Sequence, residues 1–320
     1  MKNLILYAYC KTDIDGEVAL NFFLKYGVKQ SNDYDYYFIN TCKTNSKEEL
    51  NVLLKLPPYF KILNRQNFGY DFGAWSDAIL NIDITQYNYF IFLNNSSIGP
   101  CMPRYLKNIF WPELFYNHIT STVKLVGCTI NYDGIKHVQS YCYCVDQIGL
   151  NILIKNKIFV KNLNKDKKCI IEDHEMKMLY YIENNGYSGY TFETVRNYDN
   201  ISLIKNGNLS DGEYFKNSYF HEISPFEVIF VKQRLNHKNN SFLFYLKSMG
   251  FELINPKIEA KIIPSINTVI ESRVKLNLPN KGIIIENDTK KIIPNQVISV
   301  KNILDTNKNK KIFNGKNKFI

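Results

Sequence analysis

Polar and apolar positions come in blocks along the first third of the chain. Leu4–Tyr9, Tyr36–Asn40, Phe60–Leu63 and Tyr89–Leu93 are nearly unbroken apolar runs, a pattern that predicts strands buried on both faces. Helical patterns lie between them. Glu17–Tyr26 carries Val18, Leu20, Phe22, Phe23 and Leu24 and is closed by Gly27. Ser46–Leu54 has Ser46 as a cap and Glu48 and Glu49 in its first turn, with Pro57-Pro58 beyond its end. Asp71–Leu80 is the third helix. Strands alternating with helices predict parallel βαβ units. Ligands in such sheets bind beyond the C-terminal ends of strands, which directs attention to Tyr9–Thr12, Asn64–Asp71 and Asn94–Gly99.

After Pro100 the pattern loosens. Lys124–Ile130 and His137–Val145 predict strands, Gln147–Ile154 a short helix, and Asp173–Asn184 a longer one closed by Gly186. Phe226–Val231 is a further apolar segment. Beyond about Leu235 the signals thin. Ser241–Met249 reads as a helix, Gly282–Val300 as a hairpin, and the basic stretch Lys301–Lys318 as a solvated tail. The expected organisation is a domain over 1–235 and a small C-terminal extension over 236–320, loosely held after about 305.

Composition sharpens this picture in three ways. The 320 residues are 45% hydrophobic, enough for a sizeable α/β core. The net charge of +10 favours anionic partners, but no recognisable nucleic-acid motif accompanies it, so a nucleic-acid partner is not expected. The seven cysteines form neither a CxxC pair nor a disulfide framework, which predicts a reducing, cytoplasmic setting. No apolar stretch reaches the roughly 20 residues that span a bilayer. The expectation is a chain without an integral membrane segment, with peripheral docking left open.

Three clusters carry candidate chemistry. The first runs Asn64-Arg65-Gln66-Asn67-Phe68-Gly69-Tyr70-Asp71-Phe72-Gly73-Ala74-Trp75, following a strand and opening a helix. Gly69 permits a tight turn, and Gly73 permits close packing or backbone approach. Asn67 and Asp71 offer contacts to a base, ribose or sugar, and Arg65 can face a phosphate. The plainer alternative is an ordinary βα turn with Asp71 as its cap. The second cluster ends the fourth strand in Asn94-Asn95-Ser96-Ser97. Nucleotide-sugar enzymes commonly carry two carboxylates here, holding a divalent metal on the diphosphate. Asn94 and Ser96 stand in those places, so Mn2+ or Mg2+ would be held weakly unless a carboxylate arrives from elsewhere. His221 is a further metal candidate, and a polar β-turn is the alternative. The third cluster is Glu172-Asp173-His174-Glu175 at a helix start. A carboxylate there can take the proton of an acceptor hydroxyl, with Glu175 first and Asp173 second. The alternative is simple charge complementarity at the helix N-terminus. Ahead of the strand at 141–145, the polar His137, Gln139 and Ser140 could bind an acceptor.

Taken together these strings resemble the rhamnan synthesis protein F family and related glycosyltransferases of bacteria, fungi and large DNA viruses. The matching residues are Asn64-Arg65-x-Asn67-x-Gly69-Tyr70-Asp71-Phe72-Gly73-Ala74-Trp75 and Tyr89-x-Ile91-Phe92-Leu93-Asn94-x-Ser96-x-x-Gly99-Pro100. Val123–Gly127, His137–Ser140, Glu175 ahead of Gly186-Tyr187, and Ser224–Glu227 follow in order, over about residues 1–235. The resemblance implies a GT-A-like (Rossmann-like) fold with a mixed, mainly parallel sheet, a nucleotide-binding first half and an acceptor-binding second half. It implies a hexosyltransferase, inverting by expectation, that moves a sugar (a deoxyhexose such as rhamnose among the candidates) from a nucleoside diphosphate to a glycan acceptor in polysaccharide or glycoprotein glycan synthesis. The donor site would draw on Tyr9, Arg65, Asn67, Gly69, Asp71, Gly73, Asn94, Asn95 and Ser96, with Glu175 as base. If the chain is viral, the setting would be the host cytoplasm. A catalytically inactive nucleotide-sugar- or carbohydrate-binding module of the same fold is the alternative.

Overall fold

A computed structural model describes residues 1–10, 14–41, 52–194, 224–232 and 250–251. The helix expected at 46–54 falls among them only from 52, and 52–55 is helical. His221, the elements expected at 241–249 and 282–300, and the basic tail lie outside the described residues.

The predicted apolar runs become four parallel strands: β1 (Lys2–Tyr9), β2 (Tyr34–Asn40), β3 (Phe60–Asn64) and β4 (Tyr87–Asn94). Helices α1 (Ile14–Tyr26) and α2 (Tyr70–Ile79) lie between them in sequence. A two-residue strand, β5 (Ser97–Ile98), and helix α3 (Trp111–Tyr116) lead into the second half. There follow β6 (Val123–Gly127), a small hairpin of β7 (Ile130–Tyr132) and β8 (Lys136–Val138), then β9 (Cys142–Asp146) and α4 (Gln147–Lys155). Next come α5 (Lys167–Ile170), a π-helical turn (Ile171–Glu175), α6 (Lys177–Asn184) and β10 (Ser188–Thr191). A short α7 (Pro225–Val228) precedes β11 (Val231–Lys232), which pairs with β5.

The main sheet has the order β10-β6-β9-β4-β1-β2-β3. Strand β9 runs antiparallel to β4 and β6, and the other neighbours are parallel. This is the mixed, mainly parallel α/β sheet that the sequence predicts. Leu4, Leu6 and Ala8 of β1 pack on one face with Phe72 and Trp75 of α2, Leu150 of α4 and Met178 of α6. Ile5, Tyr7 and Tyr9 pack on the other with Phe22 and Phe23 of α1 and Trp111 of α3. Both faces are covered, which is why β1 reads as a continuous apolar run rather than an alternating one. Phe251, from the expected C-terminal extension, lies against Phe22 and Tyr26 of α1, with ring centroids 5.3 Å from each.

Two strand predictions are corrected. Lys124–Ile130 divides into β6 and β7, and His137–Val145 into β8 and β9. Gln139 N–H bonds the Thr129 carbonyl at 3.1 Å, closing the base of the hairpin, and a turn at 139–141 then returns the chain to the sheet. The apolar residues on both sides of that turn hide the break from a pattern reading. The helix expected from Asp173 begins six residues earlier, where the Asp166 carboxylate accepts from Cys169 N–H at 3.0 Å and caps α5.

Candidate active site at the C-terminal edge of the sheet

From β1 the chain moves outward through β2 and β3, then crosses to the opposite side of β1 to place β4. The strand order therefore reverses between β1 and β4, and the crevice beyond their C-terminal ends is where open α/β sheets bind ligands. Here β2, β3 and β4 all end in asparagine: Asn40, Asn64 and Asn94. Asn40 Nδ2 donates to Asn64 Oδ1 at 3.0 Å. Asn95 bridges to β1, donating from Nδ2 to the Cys10 carbonyl (2.8 Å) and accepting from Cys10 N–H (3.2 Å). A Cβ on Gly16 would lie 2.2 Å from that Asn95 nitrogen, so the start of α1 must be small for the bridge to form.

Asn94, buried at the end of β4, ties that strand to α2. Its Nδ2 donates to Asp71 Oδ2 at 2.7 Å, and its Oδ1 accepts from Ser96 N–H (3.1 Å) and Ser96 Oγ (2.6 Å). The carboxylate missing from the end of β4 thus arrives from the first turn of α2. As they stand, Asn94 and Ser96 do not make the oxygen pair a divalent cation needs, because the one amide oxygen already accepts twice. Among the described residues no group of three His, Cys, Asp or Glu could hold a metal ion.

The loop leading to Asp71 is built around Arg65, the residue expected to face a phosphate. The side chain is buried, with Nε donating to Asp77 Oδ2 at 2.7 Å and Nη2 to the Phe68 carbonyl at 2.8 Å. Arg65 therefore latches the loop onto α2. Gly69 has φ +65°, and a Cβ there would lie 2.4 Å from the Leu163 carbonyl oxygen. A Cβ on Gly73 would lie 2.1 Å from the Phe68 carbonyl oxygen. Both glycines are explained by packing of the turn. Asn67 reaches across to β1, with Nδ2 at 3.3 Å from Cys10 Sγ. Tyr9, expected in the donor site, has its ring in the core 5.4 Å from that of Phe38, and its carbonyl accepts from Thr41 N–H and Oγ1.

The third cluster separates into inward and outward residues. Asp173 faces solvent, paired with Lys165 (2.9 Å) and Lys177 (3.3 Å), and the bonds from those lysines hold its pKa below the usual carboxylate range. Glu175 turns inward, and its Oε1 accepts from Ser140 N–H at 2.9 Å. The difference arises in the π turn, where Met176 N–H bonds the carbonyl of Ile171. Such turns cluster at functional sites. His174 is buried, with Nδ1 2.8 Å from the Ile158 carbonyl oxygen, and burial pushes its pKa below the ordinary histidine value.

The expected acceptor patch lies inside the protein. His137, Gln139 and Ser140 are all buried. His137 Nδ1 lies 3.0 Å from the Ile135 carbonyl oxygen, and Gln139 Oε1 accepts from Thr129 Oγ1 at 2.7 Å. The Gln139 bond ties Thr129 to the 139–141 turn, and His137 bonds within the hairpin. Pattern reading also missed Tyr143. Its ring stacks on Phe92 with centroids 4.8 Å apart. Burial, then the charges of Glu175 and Asp71, push the hydroxyl pKa well up. The phenol is therefore held neutral. A tyrosine within an apolar strand gives no signal of this in the sequence.

No protein-family model matches the chain. Two VirA virulence proteins of Vibrio anguillarum, one from strain ATCC 68554 / 775, are each 25% identical to it over 203 residues. That alignment covers 61% of this chain, and the chain spans 61% of the length of these relatives. Among solved structures, the chain is similar to the mannosyltransferase PcManGT of Pyrobaculum calidifontis in complex with GDP-Man and Mn2+, at a TM-score of 0.40 and 10% identity over 87% of this chain and 88% of that one. It is also similar to a glycosyltransferase involved in glycosylation of the major capsid of PBCV-1, at 0.38 and 11% over 61% and 84%. The glycosyltransferase GlyE of Streptococcus pneumoniae TIGR4 gives 0.38 and 10% over 87% and 64%. No helix among the described residues is long and apolar enough to cross a membrane.

Proposed function

We propose that this chain is a glycosyltransferase that binds a nucleoside-diphosphate sugar beyond the ends of β1 and β4 and transfers the sugar to a glycan hydroxyl. The observation that carries this reading is the pairing of two part-exposed carboxylates at one edge of the sheet. Asp71 is anchored on Asn94, Glu175 is anchored on Ser140, and both charges raise the pKa of the buried Tyr143 hydroxyl. The sequence resemblance supports the same reading. Glu175 takes the acceptor hydroxyl proton, the hydroxyl oxygen forms a bond to the anomeric carbon, and the carbon–oxygen bond to the diphosphate breaks with its electron pair leaving on the phosphate. Transfer with inversion follows if that attack is the single displacement. Rhamnose and other hexoses are the sugars to test, and a bacterial or viral polysaccharide or glycoprotein glycan is the acceptor class.

The test is a panel of UDP-, GDP- and dTDP-sugars with and without Mn2+, reading released nucleoside diphosphate. One donor is expected to turn over, and Glu175→Gln is expected to lower its turnover by about 100-fold or more while donor affinity is kept. Binding of a donor with no release in any arm would instead mark the chain as a nucleotide-sugar-binding module. The neutral Asn94–Ser96 pair is the observation that favours this second reading.

A further inference from the structure

The turn at 139–141 touches both halves of the candidate site through its backbone. Ser140 N–H holds Glu175 Oε1 at 2.9 Å. The next carbonyl, that of Tyr141, accepts from Asn94 N–H at 3.2 Å. Asn94 is in turn the anchor of Asp71. Three residues therefore join the two carboxylates, and whatever fixes this turn fixes their separation.

The side chains flanking Ser140 converge on one hydroxyl. Thr129 Oγ1 is 2.7 Å from Gln139 Oε1 and 3.0 Å from Tyr141 Oη, while the Thr129 carbonyl accepts from Gln139 N–H at 3.1 Å. A hydroxyl has one proton to give. Gln139 Oε1 can only accept, so the Thr129 proton lies between it and the Tyr141 oxygen, with Thr129 the donor toward both. Thr129, Gln139 and Tyr141 are 0%, 2% and 1% exposed, so water does not stand in for a missing partner. From the far side, Ile130 N–H reaches Oε2 of the fully buried Glu193 at 3.4 Å.

We propose that Thr129 is a positioning residue for the transfer reaction. Its hydroxyl locks the 139–141 turn, and the turn aims Glu175 through Ser140 N–H and steadies Asn94 through the Tyr141 carbonyl. Thr129 touches neither substrate nor the reacting atoms. The inference rests on the reading of Glu175 as the base, but its geometric half can be measured without turnover.

The experiment compares Thr129→Val and Thr129→Ser in the full chain. The first readout is the Ser140 amide resonance of isotope-labelled protein, identified by its displacement in Glu175→Gln. Thr129→Val is expected to move it as Glu175→Gln does, and Thr129→Ser to leave it in place. The second readout is steady-state kinetics on the donor that the panel selects. Thr129→Val is expected to lower kcat by about 10- to 100-fold, the scale set by a small misplacement of a reacting group, with donor KM little changed and activity restored in Thr129→Ser. Should Thr129→Val fail to fold, Tyr141→Phe keeps the ring in the core, removes an acceptor of the same hydroxyl, and is expected to give the same displacement. An unmoved Ser140 amide with unchanged kcat overturns the proposal, as does a loss of activity only in proportion to the folded fraction. If the wild-type chain turns over no donor, the transferase reading fails on its own, and the amide resonance still decides whether Thr129 holds the turn.

Discussion

Arg65 brings a full charge into a place where its side chain is 3% exposed, against an Asp77 side chain 6% exposed. Desolvating such a pair is costly, and the pair is kept because the guanidinium also holds the Phe68 carbonyl and so closes the loop before Asp71. Removing one partner leaves the other charge buried and unpaired. Arg65→Ala is therefore expected to destabilise the fold by about 3–5 kcal/mol, read as a lower urea midpoint. A donor-binding arginine would instead weaken ligand affinity and leave the midpoint almost unchanged. The sequence offered Arg65 and Asp71 as two polar residues of one motif. Only burial separates the latch from the residue left facing the crevice.

The element that most shapes the candidate site is the π turn at Ile171–Glu175, because it carries His174 into the core while Glu175 meets Ser140. Its packing depends on a neutral imidazole. Desolvation lowers the His174 pKa, with Lys165 and Lys177 nearby also opposing protonation and Asp173 favouring it. An unfolded histidine takes up its proton below about pH 6.5, whereas native His174 does so only at lower pH. Between those two values the unfolded state binds more protons, so stability rises with pH and is lost on acidification. Urea midpoints are expected to fall as the pH is lowered through that window, and His174→Gln to flatten that part of the dependence. An unchanged slope in the variant would mean that other groups carry it. Nothing in the residue pattern announces the turn, since an i to i+5 bond leaves Ile170, Met178, Leu179 and Ile182 on an ordinary apolar stripe.

At the scale of the whole molecule, the reversal of strand order between β1 and β4 puts the ends of four strands and the start of α2 at one edge. A ligand bound there touches segments distant in sequence and stabilises the folded state as a whole. A matching nucleoside-diphosphate sugar at about 100 times its Kd is expected to add about 2.7 kcal/mol to stability, visible as a rise in Tm. Glu175→Gln should keep that rise and Asp71→Ala should lose it. A donor that stabilises both variants equally would be binding away from this crevice.

The sequence by itself determined the four parallel strands, since their apolar runs admit little but strands buried on both faces. It also determined α1 and α2 and the polar residues at the strand ends. It carried the repeated strand-end asparagines, Asn40, Asn64 and Asn94, with Asn64 and Asn94 each in a motif and Asn40 in none. Tertiary structure decided the rest. It split the strands expected at 124–130 and 137–145, because the bond from Gln139 N–H to the Thr129 carbonyl joins residues ten apart. It turned Glu175 inward onto the Ser140 amide and left Asp173 in solvent beside Lys165 and Lys177, a difference that spacing along the chain does not record. It supplied Asp71 to the end of β4 from a different element. Spacing along a chain records local periodicity, whereas burial and long-range hydrogen bonds depend on which segments the sheet order makes neighbours.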